Sequence, residues 1–155
     1  MKILSENKLI SKNVLIRLDL NVPVLNGVIS EKSRIKSIKF TIKKLREQNN
    51  KVFIISHFGR PQGKKDEKYS LKFICPTLKE EFNLDKIFFL EKIEINKLKD
   101  VINKMSPKDV CLFENIRFSP EEEKNELFLV KKLSKYFDVF INDAFSSSHR
   151  NHASI

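Results

Sequence analysis

The chain has 155 residues, 41% of them hydrophobic, enough for one compact domain with a packed core and too many for a mainly disordered chain. Its formal charge of +10 nominates an anionic partner. All but six of the 30 basic residues are Lys, however, spread along stretches such as KSIKFTIKKLREQ that read as solvent faces of helices, so the net charge does not single out nucleic acid.

In chain order, the first predicted element is the strand NVLIRLDL, within the stretch VLIRLDLNVP in which Arg17, Asp19 and Asn21 interrupt the apolar run at every second position. Ile35, Ile38, Ile42 and Leu45 then repeat at helical spacing. The strand KVFIISH follows, and RPQGKKDEKYS, with Pro61, Gly63 and mixed charges, reads as an exposed loop. A short helix is expected over Thr77–Phe82, where Pro76 suits the first turn. Next come the strand KIFFL, a helix over Ile95–Met105 and the strand DVCLFENIR. Leu127, Val130, Leu133 and Phe137 mark a last helix before the strand DVFINDAF. Alternation of helices with nearly continuous apolar strands predicts an α/β domain: a doubly wound, Rossmann-like parallel sheet flanked by helices on both faces.

Cys75 and Cys111 each sit in an apolar run, which suits reduced core thiols better than a bridge or a metal site. No apolar stretch is long enough to cross a bilayer and Met1 opens no signal peptide, so a cytoplasmic chain is expected.

In an open α/β sheet, ligands bind beyond the carboxyl ends of the strands, which makes the strand endings the place to look for chemistry. Those endings are polar: Arg17, Asp19 and Asn21; His57, Gly59 and Arg60; Glu114, Asn115 and Arg117; Asn142 and Asp143, followed by Ser146–Ser148, His149, Arg150 and His152. Five of the six Arg (Arg17, Arg34, Arg60, Arg117 and Arg150) fall at these ends or at the start of the first helix, and only Arg46 lies elsewhere. Each taken singly has a structural explanation, such as an ion pair or a cap. Five guanidinium groups at one sheet edge repel one another unless an anion neutralises them, and their forked donors match phosphate and carboxylate. The site reads as one for a small, highly anionic ligand. His149 and His152 have metal-like H-x-x-H spacing, but Arg150 between them would repel a cation.

The motifs RLDLNVP, SRI, SHFGRP, LFENIRF and DAFSSSHRNHAS, in this order, resemble the N-terminal domain of phosphoglycerate kinase over nearly the whole chain. Phe58 stands where that family usually has Leu, and Ser146–Ser148 replace a Gly-Thr-Ala-like stretch. The resemblance implies a glycolytic kinase that moves a phosphoryl group between 1,3-bisphosphoglycerate and MgADP, giving 3-phosphoglycerate and MgATP. It implies that residues 1–155 are the 3-phosphoglycerate-binding domain, incomplete at its C-terminus. By that resemblance Asp19 and Asn21 lie beside the substrate, with Asp19 taking a hydrogen bond from its 2-hydroxyl. His57, Arg60, Arg117 and Arg150 hold its phosphate and orient its carboxylate. Arg34 is the catalytic residue nearest the transferred phosphoryl group, and Arg17, His149 and His152 complete the basic patch.

Three separate glycines make no phosphate-cradling loop, so no cofactor or metal site is expected in this chain. The family's Mg2+ and ADP or ATP belong to a second, C-terminal domain, and the chain is read as a monomeric fragment without turnover alone, with no nucleic-acid or membrane partner. Two rival classes are a nucleic-acid module, for which no helix-turn-helix, zinc-finger or RNP pattern is present, and a non-catalytic anion-binding domain.

Overall fold

Burial divides the first strand between two cores. The computed structural model describes residues 9–120 and 132–143. In β1 (Asn13–Leu18), Val14, Ile16 and Leu18 pack on one side of the sheet and Leu15 on the other. β4 (Lys51–Ile55) repeats the split, Val52 and Ile54 against Phe53 and Ile55, and β6 (Val110–Phe113) does the same with Val110 and Leu112 against Cys111 and Phe113. A strand covered on both faces must be apolar at every position, which is why these stretches read as runs and not as alternations.

With β5 (Phe88–Leu90) and β7 (Val139–Asp143), these strands form one sheet in the order β5-β6-β4-β1-β7, every pair parallel. The helix α1 (Ser33–Glu47) buries Ile35, Ile38, Ile42 and Leu45 on one face, beside Leu78 of α2 (Cys75–Glu81). The helix α3 (Ile95–Lys104) buries Leu98 on the other face, where Leu133 and Phe137 also pack. Connections leaving β1 and β4 therefore cover one face, and those leaving β5 and β6 the opposite one. The direction of winding reverses between β4 and β6, and the crevice beyond their carboxyl ends is where an open α/β sheet binds ligand.

The expected helices and strands agree with these elements to within a few residues. Of the last predicted helix, Leu127 and Val130 lie outside the described residues. Two features go beyond the expectation. A hairpin of β2 (Val24–Leu25) and β3 (Val28–Ile29) turns on Asn26 and Gly27, both at positive φ (51° and 76°), a pair suited to such a turn. The supposed exposed loop of residues 60–70 contains a 3-10 turn at Glu67–Tyr69 and ends on buried Ser70. Both cysteines are free thiols, Cys111 buried and Cys75 partly so.

Candidate anion site at the strand ends

β1 ends at Leu18, so Asp19 and Asn21 lie beyond the strand and not on its face. The apolar alternation nevertheless continues into the loop: Leu20 and Val22 are buried, and Asp19 and Asn21 point outward between them. Leu20 is fixed by its N–H, which donates to Ser56 Oγ at 2.9 Å. Arg17 belongs to the strand, with Ile55 and Asn142 as its neighbours in register. Only 1% exposed, it is a buried cation beneath the crevice and not a surface one.

After β4 the chain passes buried Ser56 and His57 and reaches Gly59, at φ 60°. A Cβ there would lie 2.4 Å from Tyr69 Cδ1, so glycine is required by both conformation and space. Arg60 follows, exposed. After β6, the side chain of Glu114 accepts from Ser70 Oγ at 2.7 Å and from Leu71 N–H at 2.8 Å, pinning the far end of the 60–70 segment to the sheet. Asn115 caps the 3-10 turn Ile116–Phe118 by accepting from the Arg117 N–H at 3.1 Å.

One line of hydrogen bonds joins the three strand ends. Arg34, at the start of α1, donates through Nη1 to Asp19 Oδ2. Asp19 Oδ1 accepts from Asn21 N–H at 3.1 Å, and Asn21 Oδ1 accepts from Gly59 N–H at 3.0 Å. The carbonyl of Gly59 in turn accepts from Arg117 Nη1 at 2.8 Å. Arg34, 15 residues from Asp19, is thereby brought to the ends of β1, β4 and β6 together. Its side chain is 43% exposed, so the Asp19 partner offsets its charge without removing it from solvent. Arg117 is buried, with its Nη1 held on the Gly59 carbonyl.

Of the residues singled out from sequence, Asp19, Asn21 and Arg34 are joined directly, and Arg117 joins them through Gly59. His57 lies beneath the same turn, and Arg60 extends from it. Arg150, His149 and His152 lie outside the described residues. Arg46 is elsewhere, its guanidinium on the carbonyls of Lys108 and Phe82 at 2.9 and 3.0 Å. Sequence reading gave no role to Ser56 or Tyr69, whose partners are distant in the chain. A cleft of about 320 Å³ beside the β6 end is lined by Lys65, Glu114, Asn115 and Lys132 and by none of these Arg. Among the described residues no three carboxylate, imidazole or thiol groups converge as metal ligands. Gly27, Gly59 and Gly63, each at positive φ, stand at separate points of the chain.

The chain matches the family model for phosphoglycerate kinase over residues 4–155. It is 44% identical over 148 residues to the phosphoglycerate kinase of Borreliella afzelii, covering 96% of this chain and 37% of that protein. Against the phosphoglycerate kinase of Finegoldia magna it is 40% identical over 154 residues, covering 99% and 39%. The fold superposes on phosphoglycerate kinase from Pyrococcus horikoshii with a TM-score of 0.87 at 34% identity, covering 99% of this chain and 39% of that one. On the Coxiella burnetii enzyme the values are 0.84, 35%, 97% and 37%. The chain thus spans under two fifths of the length of these relatives. A parallel sheet wound in both directions, with motifs and fold matched throughout, leaves one assignment: the chain belongs to the phosphoglycerate kinase family.

Proposed function

We propose that residues 1–155 supply the 3-phosphoglycerate side of a phosphoglycerate kinase, which transfers a phosphoryl group between 1,3-bisphosphoglycerate and MgADP. The observation that carries the reading is the hydrogen-bonded line from Arg34 through Asp19, Asn21 and Gly59 to Arg117, which draws acceptors and cations from three strand ends into the crevice. Such a transfer is catalysed chiefly by positioning and by neutralising charge, so Arg side chains without a general base suit it.

In this reading His57, Arg60, Arg117 and Arg150 hold the substrate phosphate and carboxylate. Asn21 lies beside the substrate and Asp19 accepts its 2-hydroxyl. Arg34 exchanges part of its pairing with Asp19 for the equatorial oxygens of the transferred group. Arg17, His149 and His152 supply background positive charge. Mg2+ with ADP or ATP is assigned to the part of the family's length that this chain does not span. A monomeric, cytoplasmic chain goes with this reading; no helix among the described residues is long and apolar enough to cross a membrane.

The test is a calorimetric titration of the chain with 3-phosphoglycerate at fixed ionic strength, repeated for Arg60→Ala and Arg150→Ala. Saturable binding that weakens in both variants is the expected result. A folded chain that takes up no 3-phosphoglycerate overturns the reading, and ATP-dependent turnover by the chain alone overturns the assignment of the nucleotide elsewhere.

A further inference from the structure

We infer that Asn115 is a positioning residue that sets the distance between the turn carrying Arg60 and the turn carrying Arg117, so that the anion site is assembled before ligand arrives; this rests on the function proposed above. Its amide is a hub. Oδ1 accepts from Phe58 N–H at 3.3 Å and from Arg117 N–H at 3.1 Å, and Nδ2 donates to the carbonyls of Phe58 at 2.7 Å and Tyr69 at 2.9 Å. Both lone pairs of the oxygen and both protons of the nitrogen are used, in a residue 2% exposed.

The four partner groups belong to three segments; Glu114 and Arg117 each tie two of these segments together, and the Asn115 amide alone bonds all three at once. Phe58 directly precedes Gly59 and Arg60, Tyr69 is the residue whose ring covers Gly59, and Arg117 reaches back to the Gly59 carbonyl. A short side chain that only capped the 3-10 turn would satisfy Arg117 N–H and leave the other three contacts unmade. Asn is the residue whose planar amide presents two acceptor and two donor directions at fixed angles from a short stem. Gln reaches too far, Asp lacks the donors, and Ser lacks the reach.

Asn115→Ser is the discriminating variant, because its hydroxyl still caps the turn at Arg117 N–H but cannot reach Phe58 or Tyr69. Asn115→Asp is the second, keeping both accepted bonds and setting a carboxylate oxygen against two carbonyls. Two readouts apply to the folded 155-residue chain: its affinity for 3-phosphoglycerate, and its proton–nitrogen spectrum without ligand. Affinity should fall about tenfold or more at a temperature where both variants are fully folded. The signals of Phe58, Gly59 and Arg60 should shift or broaden while those of strand β1 stay in place. A residue that served stability alone would lower the unfolding temperature and leave the affinity of the folded protein unchanged; that result overturns the inference. If the parent chain binds no 3-phosphoglycerate, the proposed function fails and the spectrum alone decides: unmoved Gly59 and Arg60 signals in Asn115→Ser overturn the positioning role, and displaced ones sustain it. Should Asn115→Ser fail to fold, Asn115→Asp is read by the same two criteria.

Discussion

Asn21 and Gly59, 38 residues apart in the chain, are joined by a hydrogen bond from the Gly59 N–H to Asn21 Oδ1 at 3.0 Å. It is the link through which the loop after β1 holds the turn after β4. Asn21→Ala removes the acceptor, and because the bond is exposed the expected cost in stability is about 0.5–1.5 kcal/mol by urea denaturation. Asn21→Asp keeps the acceptor and should lose less stability, yet its added negative charge should weaken 3-phosphoglycerate binding at least as much as Asn21→Ala does. Equal stability losses in the two variants would mean that the bond does not form in solution.

Gly59→Ala meets two obstacles at once, a left-handed backbone and the ring of Tyr69 at 2.4 Å. Strain from φ 60° costs about 1–2 kcal/mol for an L-residue, and moving the ring adds to it, so a loss of about 2–4 kcal/mol is expected. The two parts separate in a double-mutant cycle. Tyr69→Ala removes the clash, so the double variant should be more stable than the sum of the single losses by about 1 kcal/mol or more. Strict additivity would place the entire cost in the backbone.

The pairing of Asp19 with Arg34 means that a simple anion must compete with a carboxylate already in place. Asp19→Asn removes that competitor and its repulsion. Inorganic phosphate should bind the variant several-fold more tightly than the parent, consistent with about 0.5–1 kcal/mol for a partly exposed charge pair. If Asp19 has its proposed role, the advantage of 3-phosphoglycerate over phosphate should shrink in parallel. Unchanged or weaker phosphate binding, measured by calorimetry, would show that Arg34 is not held in reserve by Asp19.

Burial, with the Glu114 carboxylate nearby, pushes the Cys75 thiol from its ordinary 9.0 to about 11, and burial pushes Cys111 further up. Near pH 8 the thiolate fraction of Cys75 is then about a hundredfold below that of an exposed thiol, and disulfide exchange reagents should label the native chain at least that much more slowly than the denatured one. The linkage has a definite sign. The folded state favours the neutral thiols, so this contribution to stability is complete below about pH 9 and is lost as the pH rises through about 11. Cys75→Ser and Cys111→Ala chains should show a shallower decline over that alkaline window.

Much of the fold is visible in the apolar runs, because Val14, Phe53 and Leu112 need no partner identity to be recognised as core. The β2–β3 hairpin is less visible: its strands are two residues each, Leu25 and Val28 are exposed, and they pair only with each other, so the Asn26-Gly27 turn is its one strong signal. At the site, polar residues at strand ends point to Asp19, Asn21, Arg34 and Arg117. Their pairings do not follow from pattern, since Asp19 takes Arg34, 15 residues on, and Asn115 draws on positions 58, 69 and 117 at once. Arg17 marks the opposite limit: a cation in an apolar run announces a strand end, yet only packing reveals it to be 1% exposed.

The order β5-β6-β4-β1-β7 also governs synthesis. β1 pairs with β4 through Val14 and Val52, but its other edge waits for β7, where Val14 meets Val139 about 125 residues later. At ribosomal rates of about 5–20 residues per second, that edge stands open for about 6–25 s on the growing chain. β6 must likewise slip between β4 and β5 after both have emerged. The nascent chain therefore carries an unpaired, strongly apolar strand edge until β7 emerges, an exposure that invites edge-to-edge association.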